Sequence, residues 1–256
     1  MDYSKIAGSP RAATLLGIAA SHLFVLSAQS AQAEEMLCLY QRHKALGDIE
    51  VQIAEKFAKV TQKNGLTFVI AGPTWDVSVF QPRKKKIARL TYANFIRNGP
   101  KHIEYFDGAT DWPLVVEKSS TEYKGLPAKA YALPFKSKDG KIVSLKHGKV
   151  GSYYVNTTFK VDPHIRNFLF QMFHLQPADG IPLKYVKLGK PHRFGQDLAY
   201  NRSEVVVTAL DTMTAKSKPF QRNIFAVPGG YKTTTESDIT FGDKTDDLRE
   251  IMEDLN

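Results

Sequence analysis

The chain has 256 residues, a formal net charge of +9 at pH 7, and 43% hydrophobic against 24% charged residues. That balance excludes an intrinsically disordered chain and leaves apolar material for a sizeable core. One cysteine excludes an internal disulfide framework, and basic residues spread along the chain do not favour nucleic acid as a partner.

Residues 1–33 read as a signal peptide. Lys5 and Arg11 give a basic start, Thr14 to Leu26 an apolar run broken by His22, and Ala31-Gln32-Ala33 a small-x-small cleavage pattern before Glu34. The run is shorter than the roughly 20 apolar residues of a membrane span. The expectation is export, periplasmic or secreted, with cleavage after Ala33 and a single domain over 34–256. Leu37 and Glu35 stand where lipid attachment at Cys38 would want a small and an aliphatic residue, so Cys38 reads as a small buried side chain on a helix.

Residues 48–63 read as a helix. Ile49, Ile53, Phe57 and Val60 recur at helical spacing, Asp48 is placed as an N-cap, and Asn64-Gly65 as a stop. A shorter helix is expected over 36–45. From Leu66 the pattern changes to "LTFVIAG", "WDVSVF", "KIARLTY", "KHIEYF", "LVVEKSS", "AKAYALPF", "KIVSLKH" and "GSYYVNTTF", strand-like runs separated by turn residues. Asp139-Gly140 signals a tight hairpin. "DPHIRNFLFQMFHL" predicts a helix over 163–175, with Asp162 as N-cap and Pro163 at the first position. Strands resume with "IPLKYVKL", "EVVVTALDTM" and "RNIFAV", the last halted by Pro228-Gly229-Gly230. "DDLREIMEDL" predicts a C-terminal helix. The order implies an α+β fold, one curved antiparallel sheet with helices on one side.

The sequence holds no G-x-S-x-G elbow, no phosphate-binding loop, no dinucleotide fingerprint and no metal-ligand spacing among the seven histidines. Hence no catalytic residue, metal or cofactor is assigned. His164 and His174 read as surface or helix-end residues. "QPRKKK" (81–86) reads as a solvated hairpin tip, with contact to an anionic membrane surface as the alternative. The remaining signal is aromatic and apolar: 15 Phe, 11 Tyr and 2 Trp. "WDVSVF" alternates Trp75, Val77 and Val79 against Asp76, Ser78 and Phe80. Such residues serve as ordinary core or line an apolar cavity under helices.

Taken together, the signal segment, a first amphipathic helix, "DVSVFQPRKKKIARL", "YKGLPAKAYAL", the helix before "IPLKY" and the late "IFAVPGGYK" resemble the LolA/LolB-like superfamily of periplasmic lipoprotein carriers. Phe225, Val227, Pro228, Gly230 and Tyr231 match its style of late strand ending. The arginine that holds the carriers' lid and a counterpart for the tail beyond Thr234 are not found. The resemblance implies a half-barrel sheet covered by helices on its concave side. It also implies a monomer that binds lipid or lipoprotein acyl chains there, without cofactor. Trp75, Val77, Val79, Leu90, Tyr92, Phe168 and Met172 are the candidate lining residues. A cell-envelope interaction module with a filled core, and a periplasmic hydrolase, are the other readings.

Overall fold

The computed structural model describes residues 34–100, 115–133, 135–136, 142–143, 151–189 and 205–240. The signal peptide expected over 1–33, "KHIEYF", the turn expected at Asp139-Gly140 and the C-terminal helix expected over 246–255 lie outside them. Strands open the described chain: β1 (Glu35–His43), β2 (Gly47–Ala54), β3 (Phe57–Gln62), β4 (Thr67–Ala71), β5 (Val77–Gln81) and β6 (Lys86–Leu90). Both early helices are thereby corrected. Residues 48–63 are a hairpin, in which Ile49, Val51 and Ile53, then Ala58 and Val60, alternate into one buried cluster. The step from Ile49 to Ile53 is four residues, which keeps a side in a strand as it does in a helix. Gly47, at φ 71, turns the β1–β2 hairpin where a helix start was expected. Cys38 lies on β1, half-buried, and burial pushes its thiol pKa up.

α1 (Tyr92–Asn98) follows, then β7 (Val115–Tyr123), β8 (Leu126–Leu133), β9 (Phe135–Lys136), β10 (Ile142–Val143), β11 (Gly151–Asn156), α2 (Pro163–Met172), β12 (Ile181–Gly189), β13 (Val205–Pro219) and β14 (Lys232–Thr233). α2 starts as the sequence predicts. The Asp162 side chain accepts from the His164 amide, and Pro163 opens the helix. Twelve strands form one open sheet in the order β14-β6-β5-β4-β3-β2-β1-β13-β12-β11-β8-β7, and β9 and β10 pair separately. Every pairing among the described residues is antiparallel except β14 with β6.

The sheet buries side chains on both faces. Leu37, Ile53, Val60, Phe68, Val77 and Val79 share one cluster with Phe95 of α1 and Phe168 and Met172 of α2. The opposite face holds a second cluster, Met36, Ala54, Val69, Phe80, Ile87 and Phe225. β5 therefore has no solvent side, and Phe80, grouped by alternation with the outward residues, is 4% exposed. The cover on that second face is the segment after β13. Phe220 N–H donates to Glu34 O (2.8 Å), Phe57 meets the rings of Phe220 and Phe225 at 5.3 and 5.4 Å, and Lys59 Nζ donates to Ile224 O. Phe80 meets Tyr231 edge-on at 6.2 Å. Then Lys232 and Thr234 donate to Lys85 O and Ile87 O, adding β14 to the edge of β6.

This strap explains "NIFAVPGGYKT" differently from the strand expected there. Arg222–Phe225 is a 3-10 turn laid across the second face of the sheet, not a strand leaving it. Of the two glycines only Gly230 has a positive φ, 75°, and a Cβ at either position would meet nothing within 4 Å. Gly230→Val should therefore cost about 1–2 kcal/mol through backbone strain alone. Gly229→Val should be nearly neutral, and parallel thermal melts check the pair.

Candidate apolar binding site

The seven candidate lining residues converge. Val77 and Val79 on β5 and Phe168 and Met172 on α2 are fully buried in one cluster, and Trp75, Leu90 and Tyr92 pack against it half-buried. Tyr92 does so from the first turn of α1 and not from the strand that "KIARLTY" suggests, because Thr91 caps a helix there and accepts from Asn94 N–H. α1 is short and lightly anchored. Its one buried side chain is Phe95, stacked on Phe168 at 5.1 Å.

Three elements meet at the edge of this cluster. Trp75, at φ 61, turns its indole over Gly72, where a Cβ would come within 2.8 Å of the ring. The other partner of the indole is His164, stacked at 4.5 Å and 3°, which Tyr92 meets at 4.8 Å and 62°. His164 Nδ1 lies 2.7 Å from Asp162 Oδ1. Burial raises the Asp162 pKa, but hydrogen bonds from the His164 backbone and ring and the nearby charges of His164 and Lys56 outweigh it and leave it below the ordinary value. Asp162 N–H donates to Glu55 O, so the start of α2 is tied to the β2–β3 turn. Sequence reasoning sets His164 aside as a helix-end residue. It is one, but it also joins α2 to α1 and to the β4–β5 connection.

The other end of α2 is held by His43. Its Nδ1 accepts from Ala45 and Leu46 N–H at 3.2 Å, which leaves Nε2–H to donate to Phe173 O at 3.2 Å. Between β6, α1 and the chain at 234–236 lies a cleft of about 290 Å³. Ala88, Leu90 and Phe95 give it an apolar wall continuous with the core, and Arg89, Asn94, Asn98, Thr235 and Glu236 a polar rim. Thr235 starts the helical residues 236–240. Its hydroxyl accepts from Asp238 N–H, and the Asp238 carboxylate receives Thr235 N–H in return.

A polar row crosses the other side of the sheet, one that sequence reasoning does not single out. Asp48, Arg42, Asp211, Lys184 and Tyr154 occupy matched register positions on β2, β1, β13, β12 and β11, alternating in charge over the first four. Arg42 Nε pairs with Asp48 at 2.8 Å. Tyr123 donates to Asp211 and stacks on Tyr154 at 5.1 Å, with Lys184 Nζ 5.3 Å above its ring. Burial, then the Asp211 hydrogen bond, pushes the Tyr123 phenol well above its ordinary pKa, so it stays a neutral donor. The Pro82–Lys85 turn joins β5 and β6, the hairpin tip expected of "QPRKKK". Among the described residues no group of His, Cys, Asp and Glu could hold a metal ion, and no helix is long and apolar enough to cross a membrane.

No protein-family model and no curated protein matches the chain. Among solved structures, an uncharacterized conserved protein from Thermus thermophilus is similar at 10% identity and a TM-score of 0.38, over 79% of this chain and 91% of that one. A domain described as that of an outer membrane lipoprotein-sorting protein from Vibrio parahaemolyticus is similar at 10% identity and a TM-score of 0.29, over 76% and 90%. At that similarity neither likeness carries its fold or its function over to this chain.

Proposed function

We propose that this protein binds a lipid, a lipoprotein acyl chain or a similarly apolar ligand between its sheet and helices α1 and α2, with Trp75, Val77, Val79, Leu90, Tyr92, Phe168 and Met172 as the lining. The observation that carries the reading is that all seven belong to one continuous apolar cluster, which reaches the wall of the cleft beneath α1 at Leu90. At about 290 Å³ the cleft falls just short of the roughly 300–1,000 Å³ of small-molecule sites. Binding therefore needs α1 to lift. Exposing one phenylalanine costs about 3 kcal/mol at most, and each methylene taken from water returns about 0.8 kcal/mol. About four buried methylenes offset the movement, and an acyl chain has more than that. Export belongs to the same reading and rests on the basic start, apolar run and Ala31-Gln32-Ala33. The basic run Arg83 to Lys86, on the Pro82–Lys85 turn and the start of β6, would favour an anionic membrane surface by about 1 kcal/mol per charge.

A second reading, an interaction module with a filled core, draws on the complete burial of Val77, Val79, Phe168 and Met172. Native mass spectrometry with lipid extraction, and titration with a fluorescent fatty acid, separate the two. A co-purifying apolar species or saturable uptake is expected. Folded protein that yields neither removes the binding reading and leaves the interaction module.

A further inference from the structure

Tyr131, Tyr153 and Tyr185 face one another across β8, β11 and β12, in register and on the side of the sheet that packs against the helices. Their rings form a continuous row, 6.2 Å from Tyr131 to Tyr153 and 5.0 Å, edge-on, from Tyr153 to Tyr185. The Tyr131 phenol lies within reach of the Asp179 backbone. Tyr153 is different. It is 0% exposed, and its hydroxyl has no hydrogen-bond partner among the described residues. Among the described residues the other buried side-chain polar atoms without one are the amide oxygens of Gln41, Gln81 and Gln176, which can only accept, so Tyr153 alone offers an unused donor.

A buried hydroxyl without a partner is a net cost to the fold, and phenylalanine would fill the same space without it. Burial among Tyr185, Tyr131 and apolar side chains pushes the Tyr153 phenol far above its ordinary pKa, so it stays protonated and able to donate. A donor held neutral in an apolar core is suited to an apolar molecule bearing an acceptor oxygen. A hydrogen bond made there is sheltered from water and discriminates strongly against a ligand that lacks the acceptor.

We propose that Tyr153 is the polar anchor of the apolar site, its O–H donating to the carbonyl oxygen of an acyl ester, or of a fatty acid held protonated, lodged against the face that Phe168 and Met172 cover. This rests on the binding reading above and narrows it to ligands that bring an acceptor oxygen to Tyr153, excluding plain hydrocarbons.

The experiment compares wild type and Tyr153→Phe for melting temperature and for binding of palmitate, methyl palmitate and the alkane of equal chain length. The variant should melt at or above the wild-type temperature. It should bind the alkane as wild type does and lose on the order of tenfold in affinity for both acyl ligands, the worth of one sheltered hydrogen bond. If wild type binds the acyl ligands and the variant binds them equally well, the anchor falls while the binding reading stands. A lower melting temperature for the variant also overturns it, because the hydroxyl would then have a partner within the fold. Loss of palmitate alone, with methyl palmitate unaffected, confines the anchor to the free, protonated acid. If wild type binds none of the three, the binding reading itself fails and takes the anchor with it.

Discussion

Val77→Asp is expected to leave a chain that does not fold. Val77 is 0% exposed at the start of β5, opposite Ile70 on β4 and Leu90 on β6, and its side chain sits in the cluster that both helices close. An aspartate there must shed its charge or stay buried without a counter-ion, and it also loses the apolar contacts of the valine. Together these cost on the order of 4–5 kcal/mol or more, against total stabilities of about 5–15 kcal/mol for single domains. Soluble yield and a circular-dichroism melt read the result. The informative contrast is Trp75→Ala, which removes a half-buried ring from the edge of the same cluster and should leave a folded protein. A Val77→Asp protein that folds normally and fails only to take up lipid would mean that the site is open at Val77 without any movement of α1.

How far the fold can be read from the sequence depends on whether a segment's pattern has one solution. α2 is legible because Asp162, Pro163 and the Ile165, Phe168, Leu169, Met172 stripe agree on a helix. The hairpin over 48–63 is not, because a four-residue apolar step suits both periods. What favours strands there is the β-branched content of Val51, Ile53, Val60 and Thr61, a signal weaker than the apparent helical stripe. β5 is legible as a strand, but its exposure is not. Alternation assumes one wet face, and nothing local in "WDVSVF" announces that the segment around Phe225 covers the other. The same limit applies to the site. Val77, Val79 and Phe168 can be chosen by apolar character, whereas the place of His164 between Trp75 and Tyr92 exists only once α1, α2 and the β4–β5 connection are brought together. The unpartnered Tyr153 hydroxyl is likewise invisible in sequence, where a tyrosine in a strand is an ordinary residue.

The strap over the second face gives the other large effect. Phe225 is 4% exposed and meets both Phe57 and Phe220, so it joins the turn at Arg222–Phe225 to β3 and to the end of β13. Phe225→Ala should cost about 3–5 kcal/mol, the usual penalty for emptying a buried phenylalanine site. For a chain of this size that lowers the melting temperature by roughly 6–20 °C. The loss should also be uneven. β14 touches the sheet only along β6, through the amides of Lys232 and Thr234, and the rest of the strap reaches it through side chains. With Phe225 gone, those two amides should exchange with solvent much faster, while amides of β1, β2 and β3, paired on both sides, should change only with global stability. Hydrogen exchange read by mass spectrometry on peptides from 220–240 and from 47–62 makes the comparison. Uniform acceleration across both would mean that the strap and sheet open as one unit. An unchanged melting temperature would mean that the second face does not need its cover.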